Sequence, residues 1–320
     1  MNLQLLRILL INLFFIPACS CSYNKEETLP STVSSTYKTE HVIILVMDGA
    51  RYSETWGDST HQYIPHIAAL ASQGVVCTNM NNVGATQTTA GHTAMLTGVY
   101  ENINNTGKEF PTYPSVFQYW LEKSKQASNA AWVIATKDKL EVLTNCKEPN
   151  YQNKYMPSGD CGVAGLGSGY REDSTTFQHA INTLKQYHPK CMLINFKEPD
   201  ASGHANNWQG YLQGIKQVDE YVGKLWEYFQ SDTSFANKTT LLVTNDHGRH
   251  PDNIADGFVS HGDSCRGCKH IMFFALGPDF KKNDIDTLSY SQVDIAKTIA
   301  TFLQVELPFS KGKIMKGIFK

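Results

Sequence analysis

A chain of 320 residues, 41% of them hydrophobic and 18% charged, can bury a sizeable core, which excludes a disordered or low-complexity polypeptide and makes one globular unit the default. Its 28 basic and 30 acidic side chains leave a formal net charge of -2, with no basic excess that would recommend nucleic acid as a polyelectrolyte partner. A small charged or phosphorylated ligand is compatible with it.

The N-terminus reads as a processing segment: Arg7, the apolar run Ile8 to Ile16, too short to span a bilayer, and then Ile16-Pro17-Ala18-Cys19. These last residues resemble the cleavage site of bacterial lipoprotein signal peptidase. That resemblance implies a signal peptide over residues 1–18, with Cys19 as the lipidated first residue of an exported protein anchored to the cell envelope. An ordinary secretory signal cut near Ala18 is the alternative, and it exports the chain equally. Ser20 to Lys38 is polar and aperiodic and predicts a flexible tether over 19–38, ahead of a domain spanning 39–320.

From His41 the chain alternates strand and helix, which predicts an α/β fold with a mostly parallel central sheet and helices on both faces. His41 to Met47 reads as a buried strand, Ile64 to Ser72 as a helix, Val75 to Met80 as a strand, and Thr89 to Leu96 as the start of a helix. An amphipathic helix follows over Ser115 to Lys125, then a strand over Ala130 to Ala135. The stretch Asn145 to Gly169 breaks the alternation and predicts an irregular lid or specificity insert over the site. Its Gly165-x-Gly167-x-Gly169 follows no strand and lacks dinucleotide spacing. Beyond it come a helix over Glu172 to Tyr187, a strand over Cys191 to Phe196, and a long helix from Trp208 to Phe229 with apolar positions at Tyr211, Leu212, Ile215, Val218, Val222, Leu225 and Phe229. Strands at Thr239 to Thr244 and Ile271 to Leu276 and a helix over Gln292 to Leu303 complete the pattern, with no repeat or internal linker after Lys38.

Six cysteines lie beyond the tether. Cys146 and Cys161 bracket the irregular stretch, so a disulfide closing it is expected in an oxidising compartment. Cys265-Arg266-Gly267-Cys268 has the spacing of half a zinc site, but no second Cys-x-x-Cys exists, so a local disulfide or two free thiols is the reading preferred over a structural metal. Cys191 opens an apolar strand and reads as core.

Candidate chemistry sits at the ends of the apolar runs, where an open α/β sheet places its ligands. Asp48 ends the first strand, and a carboxylate there is costly to desolvate without a cation or donor. Asp200 and His204 are four apart and can share one face of a helical turn, whereas the adjacent Asp246 and His247 must diverge; His261 follows in His261-Gly262. Taken singly, each has a bland counterpart: an Asp after a strand is often a helix cap, and a lone His is often a hydrogen-bonded core group.

Together with Thr86-x-Thr88-x-x-x-His92 and Thr97-Gly98, these motifs resemble the alkaline phosphatase superfamily, nearest to its nucleotide pyrophosphatase/phosphodiesterase branch, over about His41 to Leu303. The resemblance implies a phosphoric ester hydrolase with Thr88 as nucleophile, working through a covalent phosphothreonine. Asp48, Thr88, Asp246 and His247 would hold one divalent metal and Asp200, His204 and His261 a second, with zinc preferred for nitrogen and oxygen donors. Thr86 and Thr89 compete with Thr88, which alone keeps the four-residue step to His92; His92 reads as a supporting group and His250 and His270 as non-ligands. Asn105, Lys108 and Glu109, after Thr97-Gly98, are the candidates to face the phosphoryl oxygens of a small phosphate-ester substrate, and Lys108, Arg51, Arg249 and Arg266 are candidates for the added cation that monoesters want. Sulfatases of the same superfamily need a Cys or Ser within Cys/Ser-x-Pro-x-Arg, where this chain has Thr88-Thr89-Ala90-Gly91-His92. A sulfuric ester or phosphonate hydrolase on the same fold, or a surface lipoprotein whose metals only bind, are the alternatives. Monoester or diester preference and oligomeric state stay open.

Overall fold

The computed structural model describes residues 37–320. The expected signal peptide, the lipidated Cys19 and nearly all of the tether lie outside the described residues. In chain order the elements are β1 (His41–Met47), α1 (Pro65–Leu70), β2 (Gly74–Asn81), α2 (Thr88–Thr97), α3 (Val116–Ser124), β3 (Ala131–Ala135), β4 (Ser158–Cys161) and α4 (Asp173–Tyr187). There follow β5 (Cys191–Phe196), α5 (Asp200–His204), α6 (Trp208–Ser231), β6 (Thr239–Thr244), α7 (Arg266–Lys269), β7 (His270–Leu276), β8 (Asp284–Asp286), β9 (Tyr290–Ser291) and α8 (Asp294–Leu303). No helix among the described residues is long and apolar enough to cross a membrane.

The strands form one sheet in the order β4-β3-β5-β1-β6-β7-β2-β8, with β9 beside β2. It is mostly parallel: β7 alone runs against its neighbours β6 and β2. β1 lies at the centre between β5 and β6, and its unbroken apolar run follows from burial on both faces. Val42, Ile44 and Val46 point into one core with residues of α2, α3 and α8, while Ile43, Leu45 and Met47 point into the other with residues of α1, α4 and α6. Burying each such side chain stabilises by about 1.5–3 kcal/mol, an upper bound because the unfolded chain is already partly compact.

Local signals set the helices. Ser115 accepts the Gln118 N–H at 3.2 Å and Gln118 Oε1 accepts the Ser115 N–H at 3.3 Å, a reciprocal cap that starts α3. On α6, all seven of the apolar positions from Tyr211 to Phe229 are buried.

Two expectations require correction. The stretch Asn145 to Gly169 is not wholly irregular, because Ser158–Cys161 pairs in parallel with β3 and forms the sheet edge. Cys146 and Cys161 are both buried free thiols, not a disulfide. The register sets Cys161 opposite Ala135 and turns its thiol into the core, 3.6 Å from the Val133 carbonyl.

Candidate active site

The carboxyl ends of β1, β3, β5 and β6 converge on one buried cluster, as a parallel sheet dictates. Asp48 follows β1, Asp200 opens α5 just beyond β5, and Asp246 and His247 follow β6; all four are buried. The close approach of β1's end to α5 requires glycine at 49: its φ is +67°, and a Cβ there would lie 2.7 Å from Asp200 Oδ1. Thr88 is the buried first residue of α2, with its hydroxyl 3.3 Å from Lys137 Nζ.

The imidazoles are oriented by backbone carbonyls. His247 Nδ1 pairs with the Gly248 carbonyl at 2.9 Å, which turns Nε2 to within 3.4 Å of Asp246 Oδ2 and 3.7 Å of Asp48 Oδ1. Asp246 Oδ1 accepts the Gly49 and His247 N–H groups at 3.1 and 3.0 Å. Asp246 Oδ2 and His247 Nε2 remain buried without a hydrogen-bond partner. His261 Nδ1 pairs with the Thr86 carbonyl at 2.7 Å, leaving Nε2 3.5 Å from Asp200 Oδ1 and 3.1 Å from His204 Nε2. His204, half exposed, has its Nε2 3.4 Å from Asp200 Oδ1, so the site opens to solvent on its side.

Asp48, Asp246 and His247 form one set of donors whose ligand atoms lie within 4.8 Å of one another, and Asp200, His247 and His261 form a second. A carboxylate oxygen facing an imidazole lone pair in a dry interior is costly unless a cation lies between them. The partnerless Asp246 Oδ2 and His247 Nε2 therefore fit a bound divalent cation, and the donors are oxygen and nitrogen only.

Lys137, two residues beyond β3, is a site residue that no motif marked. Its buried Nζ lies 2.6 Å from Asp200 Oδ2, 2.8 Å from Asp48 Oδ1 and 3.3 Å from Thr88 Oγ1, and 5.8 Å from the centre of the Tyr170 ring. Burial works against its charge, but Asp200 and Asp48 more than offset this and hold the ammonium pKa above its ordinary value. Burial likewise opposes ionisation of Asp200, yet Lys137, His247 and Arg249 hold its carboxyl well below the usual range. Asp48 goes the other way, pushed up by burial and by Asp246, so it is the carboxylate most in need of a further cation. Burial, reinforced by His247, pushes the His261 imidazole down to about 2, which keeps its Nε2 lone pair available.

The other residues singled out by sequence separate clearly. Thr86 Oγ1 donates to the Asp263 carbonyl at 2.7 Å and Thr89 Oγ1 to Asn105 Oδ1 at 3.0 Å, so neither is held by Lys137 as Thr88 is. His92 Nδ1 pairs with the Thr88 carbonyl at 2.8 Å, and its Nε2 accepts from Asn195 at 3.2 Å, while Asn195 also donates to Asp48 Oδ2 at 2.9 Å. Asn105 Oδ1 accepts the Thr89 N–H at 3.0 Å and Lys139 Nζ at 3.1 Å, which places it at the start of α2. Lys139 is pushed down to about 8 by burial and then by the charge of Lys137. Lys108 is exposed, and among the described residues no hydrogen bond or ion pair ties it to the cluster. Arg51 is committed to Glu54 and Asp252, and buried Arg249 to Asp200 and the carbonyls of Phe258 and Val259. Arg266 is exposed. His270 Nε2 pairs with the Thr78 carbonyl at 3.1 Å. His250 lies apart from both donor sets.

Comparison with known proteins shows the family of the chain. The family model for type I phosphodiesterase / nucleotide pyrophosphatase matches residues 42–257, which include all the donors above except His261. The bis(5'-adenosyl)-triphosphatase ENPP4 of Bos taurus is 22% identical over 244 residues, covering 67% of this chain and 49% of that protein. The chain spans half or less of the length of the curated relatives it matches first. The structure of murine ectonucleotide pyrophosphatase/phosphodiesterase 5 superposes with a TM-score of 0.63 at 14% identity, over 88% of this chain and 100% of that one. That of BT4656 with its substrate D-glucosamine-2-N,6-O-disulfate gives 0.68 at 14% identity, over 88% and 80%. The chain belongs to the type I phosphodiesterase / nucleotide pyrophosphatase family, within the alkaline phosphatase superfamily.

Proposed function

We propose that this chain is a metal-dependent phosphoric ester hydrolase, of phosphodiesterase/phosphatase type, that acts through a covalent phosphothreonine at Thr88. The observation that carries the reading is the Thr88 hydroxyl, 3.3 Å from a lysine that is bonded at the same time to Asp48 and Asp200. A module that only binds its ligand has no use for a nucleophile so held.

Two zinc ions suit donors that are all nitrogen or oxygen. Asp48, Thr88, Asp246 and His247 would hold one, and Asp200, His204 and His261 the other. When bound, such a pair neutralises the phosphoryl group and stabilises the attacking and leaving oxygens of an in-line displacement. Lys137 Nζ donates to Thr88 Oγ1, stabilising its alkoxide and fixing its direction. Thr88 Oγ1 bonds to phosphorus as the bond from phosphorus to the ester oxygen breaks, and the threonine proton leaves with the departing alcohol. Asn105, whose Oδ1 is taken by Thr89 and Lys139, keeps its Nδ2 for a phosphoryl oxygen. Tyr170 lies beside Lys137, its ring centre 5.8 Å from Nζ. Water then cleaves the phosphothreonine and restores the threonine hydroxyl.

The substrate class is a small phosphate ester. The segment from Arg7 to Cys19 supports export and anchoring at the cell envelope through a lipid on Cys19, and loss of membrane association in a Cys19→Ser chain tests it. Activity is tested by comparing p-nitrophenyl phosphate, bis-p-nitrophenyl phosphate and p-nitrophenyl sulfate with and without added zinc. Zinc-dependent release from a phosphate ester alone is expected. Release from the sulfate ester instead supports the sulfuric ester reading, and no release despite bound zinc supports a binding protein.

A further inference from the structure

The segment linking β6 to β7 carries a second cluster of donors that the catalytic reading does not use. His250, Asp263, Cys265 and Cys268 each bring one ligand atom within 4.8 Å of the others.

Three features make this a built site. His250 is only 6% exposed, and Asp256 Oδ1 holds its Nδ1 at 2.8 Å, so Nδ1 carries the proton and the Nε2 lone pair faces the cluster. That Nε2 is buried without a hydrogen-bond partner, and Asp263 Oδ2 lies 3.2 Å away. Asp263 Oδ1 is occupied by the Cys265 N–H at 2.8 Å, which reserves Oδ2 for the cluster interior. Both sulfurs are free thiols, and Cys265 Sγ accepts the Cys268 N–H at 3.3 Å, a bond that would strengthen if the sulfur were a thiolate.

We propose that His250 Nε2, Asp263 Oδ2, Cys265 Sγ and Cys268 Sγ bind one zinc ion, distinct from the catalytic pair. Two soft thiolates select zinc over magnesium, calcium or manganese, and four protein donors close a tetrahedron, which is the signature of a structural site. Binding displaces the two thiol protons to solvent, so the thiolates cancel the charge of the ion. The sequence lacks a second Cys-x-x-Cys because the remaining ligands are a His and an Asp earlier in the same segment. The ion would clip that segment onto the active site: His261, two residues before Asp263, bonds the Thr86 carbonyl at 2.7 Å, and the Asp263 carbonyl accepts the Thr86 hydroxyl at 2.7 Å. The Gly248 N–H, next to His247, donates to the Cys268 carbonyl at 2.9 Å. Fixing a long loop in this way offsets its ordering entropy.

The test uses the full chain, reduced and loaded with cobalt(II) in place of zinc. The catalytic donors contain no sulfur, so a near-ultraviolet thiolate-to-cobalt charge-transfer band that is lost with Cys265 and Cys268 reports this site. The band is expected in the wild type and absent from the Cys265→Ser/Cys268→Ser chain. The zinc-loaded variant is expected to hold one metal equivalent per chain less by elemental analysis. Should the variant fail to fold, mercurial titration of wild-type thiols serves instead, with release of one zinc equivalent expected. A cobalt-saturated, reduced wild type without the band, or a Cys265–Cys268 disulfide that persists in metal-loaded protein, overturns the proposal. Neither result bears on phosphate-ester turnover, which tests the catalytic reading separately.

Discussion

Lys137 Nζ lies 2.6 Å from Asp200 Oδ2, across 63 residues of chain, and the same ammonium reaches Asp48 at 2.8 Å. One fixed positive charge thus joins two carboxylates and touches Thr88, the proposed nucleophile. Replacing it with an apolar side chain of similar length removes the donor to Thr88 without opening a large cavity. Lys137→Met is expected to lower kcat by about 10²–10³, the range for losing one preorganised charge-stabilising donor. The loss should be larger for p-nitrophenyl phosphate, whose phosphoryl group carries more charge, than for the diester. Steady-state kinetics on both substrates check this, and unchanged turnover would remove Lys137 from the chemistry.

Thr88 and Thr86 give opposite expectations. Thr88→Ala removes the attacking oxygen, so turnover should fall by about 10³ or more while the metal content stays near that of the wild type. Thr86 supports the segment carrying His261 through its bond to the Asp263 carbonyl, so Thr86→Ala should lower turnover by far less than Thr88→Ala. Kinetics with elemental analysis on both variants check the assignment, and an equal loss in Thr86→Ala would shift it away from Thr88.

Gly49 is where the backbone permits β1 and α5 to meet. At φ +67° a non-glycine residue costs about 1–2 kcal/mol, and the added Cβ would press on Asp200 Oδ1 at 2.7 Å. Gly49→Ala is expected to lower thermal stability and to weaken metal binding together. Calorimetry and metal titration check the pair, and a stable variant with wild-type metal affinity would mean that Asp200 tolerates displacement.

His41 predicts an acid limit to stability. Burial, with Lys190 adding to it against the bond to the Pro189 carbonyl, lowers its pKa from the ordinary 6.5 to about 4 in the fold. The folded state therefore favours the neutral ring, so the contribution is fully present above the unfolded value and is lost as pH falls towards about 4. Urea unfolding of wild type and His41→Gln across this window should show the wild type losing its advantage as the solution is acidified. A constant difference would contradict the assignment.

How much was legible in the sequence follows from where each signal resides. The bounds of β1, β5 and β6 could be read because strands buried on both faces need unbroken apolar runs. β4 could not, since Ser158-Gly159-Asp160-Cys161 has no hydrophobic period and is a strand only through pairing with β3. The carboxylates and imidazoles stood out as polar groups after apolar strands. Lys137 sits in a charged run, Lys137-Asp138-Lys139, that reads as surface, and its partners are 89 and 63 residues away. The expected Cys146–Cys161 bridge rested on loop composition, which carries no information about where the pleat turns a side chain.

The covalent step is tested most directly by acid-quenching the zinc-loaded enzyme during turnover of a phosphate ester and mapping the phosphorylated peptide by mass spectrometry. The account predicts a single phosphoryl group on Thr88, absent from the Thr88→Ala protein. Turnover with no phosphorylated residue, or with the group on Thr86 or Thr89, would contradict it.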